Sequence, residues 1–524
     1  MEEKEIDEKI EERTGKIKQK ISNWLKDPYN KIFLAILILL IIFRLYWFFQ
    51  TYNQPLWWDE ADYMNIARTW LGYTYWTDFY SEWDALRPVL LPLIAYISFF
   101  LGLGEIPIRL FILFSSIASV FLVYGIGKQF FNKNVALFSA FILAAFWSFS
   151  FYSYRLLVDV PVTFLWLASV YFFFDAYFKD KPTKNFILPG IFLGLAFLMK
   201  FTAVMLVFIF AAYLIITEKH KIFNKKIITF AVSSFFPVFL YMIWNYFSFG
   251  NPLAFYLKYQ ETTHITKTFI QLFIDHTKFL FQVPHWAFLV LFIIGLPVFL
   301  MYIILLYKKI HIKETISNKY LFILLWIIIP LYFFARRDWF NYLDERYYFI
   351  FYPVVFLIAG RGLSFIYDII KKYSKIIALI LIIIILGFGG YQNIKHTNQI
   401  IDAKKDSYMQ LKMAGLWVNE HTSKEDTILI LEEQAEITYY APRNYVHIGD
   451  GKNESFVREA IKEHKPRYVV MSFFFSTNPK YHEVINFVFS NPEIFKPVQQ
   501  YGPYIDQQQT IPLAVIFEIN PAYY

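Results

Sequence analysis

Long apolar runs joined by short polar connections fill the chain from residue 31 to residue 392. A membrane-crossing helix needs about 20 mostly apolar residues, with 17–25 the usual range. The pattern predicts spans near 31–50, 106–127, 134–152, 160–178, 186–199, 202–217, 227–248, 286–307, 320–335, 346–367 and 376–392. A further apolar stretch, Pro88–Gly104, is long enough to cross and is ambiguous by pattern alone. Beyond Gly390 the texture changes. "DTILILEE" and "KPRYVVMSFF" read as buried strands, and "SFVREAIKEH" and "KYHEVINFVFS" as amphipathic helices.

Lysine placement resolves the ambiguity. With Pro88–Gly104 left out and the N-terminus inside, the inside connections at 128–134, 179–184, 218–226, 308–319 and 371–375 hold 16 Lys/Arg in 39 residues. The outside connections at 51–87, 153–159, 199–201, 249–285 and 336–346 hold 10 in 95. Cytoplasmic loops are enriched in Lys and Arg, and the difference has that sense. Counting Pro88–Gly104 as a span would invert every later loop. It is therefore expected to be a juxtamembrane or re-entrant helix of the first external loop. The same parity makes 186–217 cross twice, with its turn at Lys200 near the outer surface.

These patterns predict an all-α polytopic membrane protein of about 11 transmembrane helices with a C-terminal extracytoplasmic α/β domain. The expected divisions are 1–30, a cytoplasmic amphipathic segment; 31–392, the transmembrane domain, with 51–105 its first external loop; and 393–524, the soluble domain. The N-terminus has no small-residue cleavage site and is not expected to be a cleaved signal. The expected location is the cell membrane.

Composition narrows the chemistry. Of 524 residues 57% are hydrophobic and 22% aromatic, against 18% charged. The net charge of +8 lies mainly in short-loop lysines, so it reports orientation and not nucleic-acid binding. No cysteine is present, which excludes disulfides, thiolate nucleophiles and thiolate zinc sites. The letters DEAD at 59–62 have no companion GxxxxGK[ST] loop, so they mark no nucleotide site. The ten histidines show no HExxH spacing, and no metal is expected.

Polar chemistry collects on the outside. Asp59, Glu60, Asp62, Asp78, Glu82, Asp84, Arg87, Arg155, Asp159, Lys200, Arg336, Arg337, Asp344, Glu345 and Arg346 all fall in external connections. Arginines there resist the positive-inside trend and suggest a site holding an anion beside a base. Each motif also has a structural reading. Asp59–Glu60 supplies either a general base or a helix start. Arg87 in "RPVLLP" either grips a phosphate or snorkels to headgroups. Asp159 in "SYRLLVDVP" either shapes a site, caps its helix or pairs with Arg155. Arg346 in "YLDERYYFIFYP", followed by Tyr347, either contacts an anion or sits in an interfacial aromatic belt. Glu432–Glu433, after a predicted strand, read as surface or capping groups.

Taken together, the order and sidedness of these motifs resemble the GT-C glycosyltransferases, in particular the protein O-mannosyltransferase and lipid A aminoarabinose transferase superfamily. The resemblance covers roughly residues 30–370. It rests on Asp59–Glu60 after the first span, "RPVLLP", "RLLVDVP", "GLAFLMKFTAV" with Lys200, "ERYYFIFYP" with Arg346, and the connection "GKQFFNK". It implies an inverting transfer of a hexose or pentose, in the manner of a mannosyltransferase, on the extracytoplasmic face. The donor would be a dolichyl- or undecaprenyl-phosphate sugar, and the acceptor a hydroxyl on protein, lipid or glycan. By position, Asp59 would be the catalytic base and Glu60 its support. Arg87, Lys200 and Arg346 would hold the donor phosphate, while Asp159, Arg155 and Tyr347 would shape the sugar or acceptor pocket. No cofactor is required by this reading.

Two other classes fit less of the pattern. A transporter or flippase of lipid-linked glycans would also place Arg, Lys and Asp at membrane level. No two-half repeat of broken helices is evident, and the charges lie on one face. A receptor or scaffold leaves the Asp59, Asp159, Lys200 and Arg346 cluster unexplained.

Overall fold

The computed structural model describes the chain except residues 1–13, 16–17, 73–86, 219–222, 262–266, 308–313, 337–342, 432–434, 450, 473–478 and 503–513. Asp78, Glu82, Asp84, Arg337 and Glu432–Glu433 therefore lie outside the described residues.

Besides a helical stretch at 18–25, twenty α-helices are described. The bundle runs α1 Pro28–Thr51, α2 Trp58–Thr69, α3 Leu90–Phe100, α4 Ile106–Phe130, α5 Lys133–Ala145, α6 Trp147–Phe151 and α7 Asp159–Tyr177. It continues through α8 Ile187–Met199, α9 Val204–Glu218, α10 Lys225–Phe249, α11 Ala254–Glu261, α12 Phe269–Gln282 and α13 Trp286–Tyr307. The last of the bundle are α14 Glu314–Phe334, α15 Tyr352–Ile370 and α16 Lys375–Lys404. Seven helical runs among the described residues are long and apolar enough to cross a membrane, or up to nine if each of two bent pairs is one span. The bent pairs are Lys133–Ala145 with Trp147–Tyr154, and Phe269–Gln282 with Trp286–Met301. Two expected spans, 186–199 and 320–335, correspond to the shorter apolar helices Thr183–Met199 and Lys319–Phe334. The ambiguous stretch 88–104 holds only the 11-residue α3, about 16 Å of helix, too short to cross alone.

Small residues set the closest packing. A Cβ on Gly295 of α13 would lie 2.0 Å from the Ile358 carbonyl of α15, and one on Gly362 would lie 2.1 Å from the Leu291 carbonyl. The two helices meet backbone to backbone, as small residues permit between membrane helices. Around this contact the aromatic side chains, among them Trp166, Trp326, Phe146, Tyr352 and Phe356, fill one continuous core.

α16 runs on past residue 392 to Lys404 and leads through α17 Met409–His421 into the C-terminal unit. That unit is a five-stranded sheet with α18 Ala435–Tyr440, α19 Glu454–His464 and α20 Pro479–Ser490. Its strands are β1 Thr427–Ile430, β2 Asn444–His447, β3 Tyr468–Ser472, β4 Phe495–Tyr501 and β5 Ala514–Ile519, in the order β2-β1-β3-β5-β4. β1 is parallel to β2 and β3, while β5 is antiparallel to β3 and β4. Alternate strand residues serve two cores: Leu429, Val469 and Phe517 pack with α19 and α20, and Ile428, Val470 and Ile516 with α17 and α18.

Candidate active site

α2 is the keystone. Its first turn carries Asp59 and Glu60, whose charges suit a helix N-terminus. The two acids face different ways. Glu60 turns back into the protein and is fully buried. It accepts from the Trp57 amide at 2.7 Å, closing a capping box, and from the Leu156 amide at 2.6 Å. Arg155, also buried, completes its shell as an ion pair and stacks 3.8 Å from the Trp57 ring centre. Glu60 and Arg155 thus hold the base of α2 against the turn that precedes α7. Neither lines the cavity described next. Arg155, expected in a sugar or acceptor pocket, thus lies outside this cavity, and Asp59 alone of the acid pair faces it. The alternative pairing of Arg155 with Asp159 does not form, because Glu60 holds Arg155.

Asp59 faces a cavity of about 160 Å³ lined by Tyr63, Arg87, Asp159, Lys200, Arg346 and Tyr347 among others. Arg87 donates to one Asp59 oxygen at 2.9 Å and Arg346 binds the other at 2.7 Å. Burial alone would raise its pKa, but the two guanidiniums outweigh burial and hold Asp59 well below the usual carboxylate range. Arg87 also donates to Asp62 at 2.6 Å, one helical turn along the same face. Burial is the larger influence on Asp62 and pushes its carboxyl up despite Arg87, with repulsion from Asp59 adding to it. Arg87 therefore bridges two carboxylates and lies 5.2 Å from the Tyr63 ring centre.

The facing wall is a second ion pair. Asp159 opens α7 and accepts from Lys200 at 2.5 Å. Lys200 is held in extended backbone at the break between α8 and the turn leading into α9. Tyr347 sits between the two walls, 4.5 Å from the Lys200 ammonium and 5.4 Å from the Arg346 guanidinium carbon. Arg346 is aimed by Asp344, which caps the turn Glu345–Tyr348 by accepting from its amide at 3.0 Å and binds its side chain at 2.9 Å. The connections holding Asp59, Arg87, Asp159, Lys200 and Arg346 thus meet at one end of the bundle. Lys128, Lys179 and Lys319, from three lysine-rich connections, meet at the other.

Phe201 and Thr202 line both this cavity and an apolar groove of about 550 Å³ walled by Phe197, Met205, Phe208, Phe255 and Phe334. The C-terminal unit supports the site from behind. Asn65 of α2 donates to the Ala435 carbonyl at 3.0 Å and to Thr438 at 2.9 Å, and the Tyr440 hydroxyl accepts from the Leu56 amide at 3.1 Å. α18 also carries Glu436, fully buried, whose carboxyl oxygens meet no donor from another described residue. Burial, with repulsion from Glu60, Asp59 and Asp62, pushes it up to about 8. The sequence reasoning missed Glu436, Tyr63 and the aiming role of Asp344. Only Asp344 carried a signal, as a cap residue two positions before Arg346.

Comparison with known proteins bears on this geometry. Residues 86–244 match the family described as dolichyl-phosphate-mannose-protein mannosyltransferase. That segment includes Arg87, Arg155, Asp159 and Lys200, whereas Asp59 and Arg346 lie outside it. Among curated protein sequences none matches. The fold is similar to ArnT from Cupriavidus metallidurans bound to undecaprenyl phosphate, with TM-score 0.62 and 12% identity over 93% of this chain and 97% of that one. It is also similar to the Archaeoglobus fulgidus oligosaccharyltransferase tethered with an acceptor peptide, with TM-score 0.59 and 13% identity over 92% of this chain and 74% of that one. AglB from the same organism, in complex with an inhibitory peptide and a dolichol-phosphate, gives TM-score 0.55 and 14% identity over 96% and 77%. Residues 86–244 are thus similar to the dolichyl-phosphate-mannose-protein mannosyltransferase family, and the fold of the whole chain is similar to those of ArnT and of the archaeal oligosaccharyltransferase.

Proposed function

We propose that this glycosyltransferase moves a hexose or pentose from a polyprenyl-phosphate donor to a hydroxyl acceptor, with inversion and with Asp59 as the general base. One observation carries the reading: a single cavity holds a carboxylate between two arginines, faces a lysine, and shares two wall residues with an apolar groove. The groove suits a polyprenyl tail, and the cations suit its phosphate. The lipid phosphates named with two fold relatives support that class of donor.

The chemistry follows from the charges. Arg87, Arg346 and Lys200 are now neutralised by Asp59, Asp62, Asp159 and Asp344. A donor phosphate competes for the same cations. As it draws the guanidiniums away, Asp59 loses the partners that depress its pKa and becomes a better base. Asp59 then takes the acceptor hydroxyl proton while the acceptor oxygen bonds to the anomeric carbon. The bond from that carbon to the phosphate oxygen breaks, and both its electrons leave with the polyprenyl phosphate. The three cations stabilise the charge gained by this leaving group, so the step needs no resident cofactor. Lysine parity supports a cavity on the extracytoplasmic face of the cell membrane, with the acceptor arriving on protein, lipid or glycan.

The test supplies membranes with labelled polyprenyl-phosphate sugars and compares the wild type with Asp59→Asn. Loss of transfer in the variant is expected. Equal transfer by both removes Asp59 as the base, and transfer from no donor, with lipid-linked glycan still crossing the membrane, would favour a flippase.

A further inference from the structure

The catalytic cavity leaves unexplained a second polar concavity at the other end of the bundle. Asp159 opens α7 in the first; Asp175, 16 residues later and about 24 Å along the helix, lines the second. The second has a volume of about 470 Å³ and lies among Tyr124, Lys128, Tyr171, Phe178, Lys179 and Lys319, from α4, α7, α14 and the turn after α7.

Its charge does not balance. Asp175 is neutralised twice, by Lys179 at 2.5 Å and by Lys181. Among the described residues Lys128 donates only to a neutral oxygen of Asn30 at 3.2 Å, and Lys319 only to the Gln129 carbonyl at 2.6 Å. Neither meets a carboxylate within ion-pair distance among the described residues; the Asp27 carboxylate, which favours the Lys128 ammonium from farther off, is already paired with Lys133 at 2.7 Å. Both stand over aromatic rings, Lys128 5.2 Å from the centre of Tyr124 and Lys319 4.8 Å from that of Phe178. Two partly buried ammonium groups with no ion-pair partner among the described residues are costly. A basic pocket between membrane helices is a recognised setting for anionic lipid headgroups.

We propose that this concavity binds the phosphate of an anionic phospholipid, with Lys128 and Lys319 as its two ligands and the aromatic walls against the glycerol and upper chains. The site is independent of the sugar-transfer reading, because no residue of it touches the catalytic cavity.

The test uses the full-length protein in zwitterionic nanodiscs or detergent. Phosphatidylglycerol, phosphatidylcholine and inorganic phosphate are titrated separately, with native mass spectrometry and thermal melting as readouts. The wild type is expected to retain phosphatidylglycerol and to melt higher with it, and phosphatidylcholine to bind at least tenfold more weakly. Lys128→Gln, Lys319→Gln and their double variant should weaken phosphatidylglycerol binding tenfold or more, whereas Lys128→Arg with Lys319→Arg retains it. Lys372→Gln, which removes an exposed lysine at the same end, should bind as the wild type does. Equal binding of the two lipids, unchanged binding by the single glutamine variants, or an equal loss in Lys372→Gln overturns the proposal. Protection by inorganic phosphate alone, equal to that by the lipid, reassigns the site to a soluble anion and overturns the lipid assignment.

Discussion

Replacing Glu60 with alanine separates a supporting carboxylate from a reacting one. Glu60 and Arg155 have side chains 0% and 1% exposed, so the substitution leaves a guanidinium charged and enclosed. Removing one partner of a buried ion pair costs about 3–5 kcal/mol. The Trp57 and Leu156 amides lose their acceptor as well, at about 1–3 kcal/mol for each that stays dry. These contributions overlap, but together they reach about 5 kcal/mol or more, the lower end of a whole domain's stability. Glu60→Ala should therefore lower the thermal unfolding midpoint far more than Asp59→Asn, and transfer should fall because α2 is displaced. Glu60→Met with Arg155→Met, which removes both charges, should recover much of the midpoint, since apolar replacement of a buried pair is often neutral or stabilising. The assay is melting of the purified protein by intrinsic fluorescence, with transfer measured on the same samples. A Glu60→Ala protein that melts like the wild type yet transfers nothing would refute the reasoning and make Glu60 a reacting group.

Other expectations test separate parts of the structure. Asp59→Asn should lower kcat by about 10²–10⁴ as loss of a general base does, with secondary structure by circular dichroism unchanged. Because the folded pKa of Asp59 is depressed, its pairing with Arg87 and Arg346 stabilises the protein above pH about 4 and is lost as pH falls further; Asp59→Asn should flatten that acid limb of the melting profile. Glu436 has the opposite sign. With a folded value of about 8 against an ordinary 4.5, it is protonated in the folded state and costs stability progressively as pH rises from about 4.5 to 8, roughly 3 kcal/mol by pH 7. Glu436→Gln should raise the melting midpoint at pH 8 and leave it unchanged near pH 4.5. Met205→Trp narrows the apolar groove, so it should raise KM for a long-chain donor several-fold and barely alter KM for a two-isoprene analogue.

Much of the bundle was legible because membrane helices announce themselves as apolar runs; lysine asymmetry predicted a non-crossing helix in Pro88–Gly104, where the structure has the 11-residue α3. The breaks at 146 and 283–285 were not, since a bend within or beside an apolar stretch leaves its hydropathy intact. In the C-terminal unit, β1 and β3 were readable as short apolar runs, while β2 and β4 have exposed positions and look like loops in sequence. The charged residues were readable one by one but their partners were not. Pattern could not decide whether Arg155 would meet Asp159 or Glu60, because that depends on which way the side chains of one helical turn point. Glu436 gave no signal at all: its burial comes from packing against a helix some 370 positions earlier.

That separation has a consequence for biogenesis. The contacts of Asn65 and Leu56 with α18 span 373 and 384 positions of sequence. Until the ribosome has added α18, some 370 residues later, α2 lacks the surface on which it rests. A nascent or truncated chain that lacks α18 is therefore expected to insert its spans and yet remain catalytically silent. Activity is then expected only once α18 has been made and has packed against α2.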